Sequence, residues 1–167
     1  MLGQLEGDVT AALENLRELA RGVYPPLLAD QGLAAAIEAQ ARRSPVPVRV
    51  EADGVGRYPQ ELETAVYFCT LEALQNAAKY AQANEVAVSL LEDHGELVLS
   101  IRDDGRGFDR AATPLGAGLQ NMADRLAALG GTLTVRSRPG AGTTIEGRVP
   151  VHQHLVGLEP ATGATLA

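Results

Sequence analysis

A chain of 167 residues with a formal net charge of −7 and a sequence pI of about 4.9 can bury one sizeable core, and its acidity disfavours nucleic acid or an anionic membrane as the main partner. Its 46% hydrophobic content and mean hydropathy of −0.03 are those of an ordinary soluble globular protein, with no apolar run near the ~18 residues of a membrane span and no secretion-signal pattern. The single cysteine, Cys69, reads as a core thiol in a reducing compartment, and His94, His152 and His154 lack metal-ligand spacing.

Residues 2–23 read as a helix in which Leu2, Leu5, Val9, Ala12, Leu16, Leu19 and Val23 recur in steps of 3 and 4. Such a heptad seam pairs with another helix or packs on its own domain. Pro25 and Pro26 end it. An Ala-rich helix over about 31–43 and a strand around Val46–Glu51 come next, then a long helix over about 59–82 with Pro59 in its first turn. Strands at about 84–92 and 96–103 place Val86, Val88 and Leu90, then Leu97, Leu99 and Ile101, on one face across the turn Asp93-His94-Gly95. A Gly-rich stretch over 104–118 leads into a helix of about 118–129 that stops at Gly130-Gly131, and a hairpin pairs about 131–138 with 143–150. Residues 151–167 carry no pattern and are expected to form a mobile tail. This order predicts a two-layer α/β sandwich, with one mixed, mostly antiparallel sheet and helices on one face.

Chemistry concentrates in the long helix and in the segments C-terminal to it. Glu72, Asn76 and Lys79 stand at i, i+4 and i+7, which puts an acid, a carboxamide and a cation on one stripe. That set suits a nucleotide–metal site: carbonyl oxygen for Mg²⁺, ammonium for phosphate, carboxylate for metal or water. A solvated helix face can carry the same trio with no ligand at all. Asp103 continues the inward alternation of Leu97, Leu99 and Ile101, so its carboxylate needs a hydrogen-bond partner such as the adenine amino group, unless Asp103-Asp104-Gly105 is simply a turn. Gly105 and Gly107 permit close approach of a flat ligand. Gly116 and Gly118, just before the helix beginning near Leu119, offer free N–H groups to phosphate. Between the pairs, Phe108–Leu115 has the length and composition of a lid, while Gly140-Ala141-Gly142-Thr143-Thr144 is first a hairpin turn, with phosphate contact secondary.

In this order the motifs resemble the ATP-binding domain shared by sensor histidine kinases, type II topoisomerases, Hsp90 chaperones and MutL proteins. EALQNAAKYA (72–81) is similar to its N box, DDGRGF to its G1 box, GAGL to its G2 box and GAGTT to its third glycine box. Residues 16–37 and 118–131 resemble histidine kinases that pair with NarL-type response regulators. The resemblance covers about residues 5–150 and implies ATP and Mg²⁺ as cofactors. It makes Asn76 the Mg²⁺ ligand, Lys79 a phosphate contact and Tyr80 a neighbour of adenine. Asp103 would accept from the adenine amino group, Gly107 would leave room beside the ring, and Gly116 and Gly118 would form the lid hinge. Gly105, Leu119 and Thr143 complete the nucleotide set, and Glu72 takes a metal or water role.

Such kinases carry a phosphoacceptor histidine on the helix preceding the one read at 2–23, and none of the three histidines here lies in such a helix. The implied organisation is 1–24 as part of a dimerisation helix, 25–150 as the catalytic ATP-binding domain and 151–167 as a tail. The implied activity is transfer of the ATP γ-phosphoryl group to a histidine outside this chain, in the cytoplasmic portion of a sensor that is homodimeric when complete. An anti-sigma-factor-like serine kinase and a non-catalytic ATP-binding module are the rivals on the same fold.

Overall fold

The protein is described by a computed structural model over residues 25–152, so the helix expected at 2–23 and the tail beyond residue 152 lie outside the described residues. The Pro25-Pro26 pair, read in the sequence as a helix stop, opens a helix. Pro26 opens α1 (Pro26–Gln31) at the first helical position, where its missing N–H costs nothing. Gly32 then takes φ +87°, a left-handed conformation that separates α1 from α2 (Leu33–Arg43). The helix expected over 31–43 is therefore preceded by a short one.

Strand β1 (Val48–Glu51) begins two residues later than the sequence suggests. Pro47 has no N–H for a ladder, although its carbonyl accepts from the Val86 N–H at 2.9 Å. Helix α3 (Gln60–Lys79) has Pro59 as its N-cap rather than in its first turn, and the Pro59 carbonyl accepts the first N–H groups, from Leu62 (3.0 Å) and Glu63 (3.1 Å). It crosses from β1 to the parallel strand β2 (Val86–Asp93). Strands β3 (Glu96–Asp103) and β5 (Thr143–Pro150) continue the sheet antiparallel, and β4 (Thr132–Ser137) closes the far edge. The order is β1-β2-β3-β5-β4. Between β3 and β4 lies α4 (Ala117–Ala127).

One face of this sheet is the core. The register sets Val88 beside Ile101, and Ile101 beside Ile145, all under the helices. Burying each such side chain contributes about 1.5–3 kcal/mol. Gly147 stays small on that face because a β-carbon there would lie 2.8 Å from Leu126 Cδ1 of α4. The opposite face carries Arg49, Ser100, Arg102, Glu146 and Arg148. The result is the expected two-layer α/β sandwich, with a mixed, mostly antiparallel sheet. No helix among the described residues is long and apolar enough to cross a membrane.

This topology positions a site. The register gathers Asp103 at the end of β3, Thr143 at the start of β5 and Ser137 at the end of β4 in one row. The second half of α3 and the start of α4 stand over that row.

Candidate functional site

A cavity of about 590 Å³ opens where these pieces meet, within the ~300–1,000 Å³ range of small-molecule sites. Ile101, Asp103, Thr143 and Ile145 line its floor, and Glu72, Ala73, Asn76, Ala77 and Tyr80 line the α3 wall. Phe108, Thr113 and Pro114 of the loop after β3 and Gly116–Leu119 of the α4 start complete it. Of the residues singled out in the sequence, Glu72, Asn76, Tyr80, Asp103, Gly107, Gly116, Gly118, Leu119 and Thr143 are brought together here. Lys79 and Gly105 are not in the wall. Lys79 is the last residue of α3 and is exposed, one step outside the mouth where half-exposed Tyr80 sits.

Asp103 and its neighbour Asp104 divide two jobs. Burial in the cavity floor pushes the Asp103 carboxyl above its ordinary range, while the Gly105 and Thr143 backbone N–H groups pull it part of the way back. The Gly105 N–H donates to Asp103 Oδ1 at 2.9 Å. Exposed Asp104 points away and accepts from the Asn84 (2.8 Å) and Glu85 (3.0 Å) N–H groups, which hold its carboxyl below the ordinary range. Asp103 thus makes the turn's own side-chain bond through Oδ1 and lines the cavity as well, while Asp104 ties the turn to Asn84 and Glu85.

The glycines also divide. A β-carbon on Gly105 would run into the Ala81 carbonyl, so this glycine lets the strand end pack under the C-terminus of α3 rather than face a ligand. Gly107, at φ +60°, faces the cavity and is pressed against the Arg138 carbonyl of the β4–β5 turn. Gly116 has open space where a side chain would stand.

The start of α4 has uncapped backbone donors beside the cavity. Gly116 is its N-cap without a side-chain cap, and the first N–H bonded back to it is that of Gln120, at 3.0 Å. The N–H groups of Ala117, Gly118 and Leu119 therefore emerge at the cavity with the positive end of the helix dipole behind them. A β-carbon on Gly118 would collide with the Glu72 carboxylate, which places that carboxylate at the helix start. An adenine nucleotide fits this donor and acceptor set: a buried acceptor floor at one end, an uncapped helix start at the other. The Asn76 carbonyl and Glu72 carboxylate between them are oxygen ligands of the kind Mg²⁺ takes.

Two residues carry no signal in the sequence. Arg106 lines the cavity where Lys79 does not, with its backbone clamped by a bond to the Ala81 carbonyl (2.7 Å) and one from the Gly140 N–H (2.6 Å). Only its place between two glycines could have drawn attention to it. Ser137 bonds to Phe108, Gly142 and Thr143, contacts that no local pattern announces.

Residues 61–153 match the family of histidine kinase-, DNA gyrase B- and HSP90-like ATPases. This chain belongs to that family. It is 33% identical over 151 residues to the sensor histidine kinase MctS of Rhizobium johnstonii, covering 85% of this chain and 32% of that protein. It is 31% identical over 155 residues to the oxygen sensor histidine kinase NreB of Staphylococcus carnosus, covering 89% of this chain and 45% of that one. The chain thus spans less than half the length of these relatives. Among solved structures, the histidine kinase domain of the Erythrobacter litoralis blue-light activated histidine kinase superposes with a TM-score of 0.60 at 26% identity, covering 76% of this chain and 62% of that one. ATP binding is the property the family carries.

Proposed function

We propose that this chain is the ATP-binding catalytic part of a sensor histidine kinase, which hands the γ-phosphoryl group of ATP to a histidine on a dimerisation helix outside these residues. One observation carries the reading: a single cavity joins the buried acceptor floor at Asp103 to the uncapped start of α4. The base sits over Ile101 and Ile145 with its amino group on Asp103, beside Gly107 and Tyr80. The phosphates lie at Gly116, Gly118 and Leu119, with Lys79 reaching in from the end of α3. Asn76 holds Mg²⁺, with Glu72 as a second oxygen ligand or an orienter of water; bound Mg²⁺ neutralises phosphate charge. The protein's own contribution is positioning and charge complementarity. Residues 25–150 are the catalytic domain. The whole sensor is a homodimer with its kinase portion in the cytoplasm, serving a NarL-type response regulator.

Calorimetric titration with ADP tests the metal role. Binding in the micromolar range or weaker is expected, strengthened by Mg²⁺. In Asn76→Ala the gain from Mg²⁺ should vanish, a loss of about tenfold, while binding in chelator is unchanged. A variant as metal-dependent as the parent removes Asn76 from that role.

A further inference from the structure

Ser137 sits at the end of β4, one strand beyond the cavity wall, and its hydroxyl meets three partners. The Phe108 N–H donates to Ser137 Oγ at 2.9 Å, the Gly142 carbonyl lies 3.0 Å from Oγ, and Thr143 Oγ1 lies 2.9 Å away. The proton arrangement is set by what each partner can do. A carbonyl only accepts, so the bond to Gly142 requires the Ser137 hydrogen. Gly142 is buried, and among the described residues no backbone N–H donates to its carbonyl, so leaving that oxygen unpaired is costly. With the Ser137 hydrogen committed there, the hydrogen between Ser137 and Thr143 belongs to Thr143. Ser137 Oγ is then saturated, with one hydrogen given and two accepted.

The consequence appears in the cavity. The Thr143 hydroxyl, its hydrogen turned back toward Ser137, shows only lone pairs to a ligand. Its register partner is Asp103, whose carboxylate is an acceptor as well. We infer that Ser137 is a positioning residue for base selectivity: by orienting the Thr143 hydroxyl it makes the floor acceptor-only where the base's 6-substituent lies, a surface that meets a 6-amino group and opposes a 6-oxo group. The inference rests on the reading of this cavity as an adenine-nucleotide site. It assigns no contact between Ser137 and the ligand.

The test compares ADP with IDP, which replaces the amino group by a carbonyl, on the full chain. The parent should prefer ADP by about 100-fold, the size of effect that leaving a buried polar group unpaired produces. Ser137→Ala frees the Thr143 hydroxyl to turn and donate, so the preference should narrow about tenfold, chiefly through better IDP binding. Ser137→Thr keeps the hydroxyl and should keep the preference. Thr143→Val should narrow it through weaker ADP binding, and adding Ser137→Ala in that background should change nothing more, because the effect runs through Thr143. An unchanged preference in Ser137→Ala overturns the inference while leaving the nucleotide site standing. Equal weakening of ADP and IDP also overturns it, since that is the signature of losing the Phe108 bond alone. Failure of the parent to bind ADP, or to prefer it, brings down the adenine reading itself.

Discussion

Asp103→Asn is expected to weaken ADP binding by about 100-fold, the upper part of the ~1.5–3 kcal/mol that a hydrogen bond to a charged group contributes. The carboxylate is acceptor-only, and its Oδ1 already takes the Gly105 N–H at 2.9 Å. An amide must turn its own NH₂ toward either that N–H or the ligand's amino group, a donor facing a donor in both cases. The effect also has a pH signature. Burial raises the Asp103 carboxyl in the folded protein, so without ligand this group favours the fold most below its unfolded pKa, and that contribution is lost as pH rises through the folded value. A bound amino group favours the ionised form. ADP binding should therefore tighten as pH rises through the raised Asp103 value and weaken as pH falls through it, and the Asn variant should lose this dependence. Calorimetry across that interval gives both readings; undiminished binding by the variant would sink the adenine assignment.

Arg57→Ala should lower the unfolding free energy by about 3 kcal/mol while leaving ADP affinity nearly unchanged. Glu63 is fully buried in the first turn of α3, with the Arg57 Nε donating to its Oε1 at 3.0 Å. The same guanidinium donates through Nη2 to the Ala29 carbonyl at 2.9 Å and the Leu28 carbonyl at 3.3 Å, tying the end of α1 to the start of α3. Gly32 leaves the room that the Arg57 stem fills: a β-carbon there would lie 2.8 Å from Arg57 Cδ. Removing the Arg57 guanidinium keeps the Tyr58 N–H on Glu63, at 3.0 Å, but takes one cation from beside a buried carboxylate. Losing one partner of a buried pair costs about 3–5 kcal/mol, and the lower end applies because the Arg57 side chain is 51% exposed. Urea unfolding measures the change. A loss below about 1 kcal/mol would mean the strut carries little of the stability.

These two residues mark what the sequence can and cannot reveal. Asp103 is legible because its signal is local: the alternation of Leu97, Leu99 and Ile101 sets its phase, and β3 keeps that phase to its end. The Glu72/Asn76 stripe is legible for the same reason, since helical spacing alone fixes the face. Arg57–Glu63 is not. Each is an unremarkable surface charge in isolation, and the carboxylate is buried once the chain is folded. Gly105 reads as a ligand contact because a glycine's permissiveness looks the same whether a nucleotide or the Ala81 carbonyl approaches it. The Pro25-Pro26 pair reads as a stop because the same prolines suit the end of one helix and the beginning of another. Ser137 acts through partners 5, 6 and 29 positions away, a relation that exists only once β4, β5 and the loop after β3 are assembled.

The most direct test of the central claim is incubation of this chain with Mg²⁺ and γ-labelled ATP, alone and with a separate polypeptide carrying the phosphoacceptor helix of a related sensor kinase. Label should stay off this chain and appear on the added helix as an acid-labile, alkali-stable phosphohistidine. Strong labelling of the chain itself, or an acid-stable serine phosphate on the partner, would contradict the account.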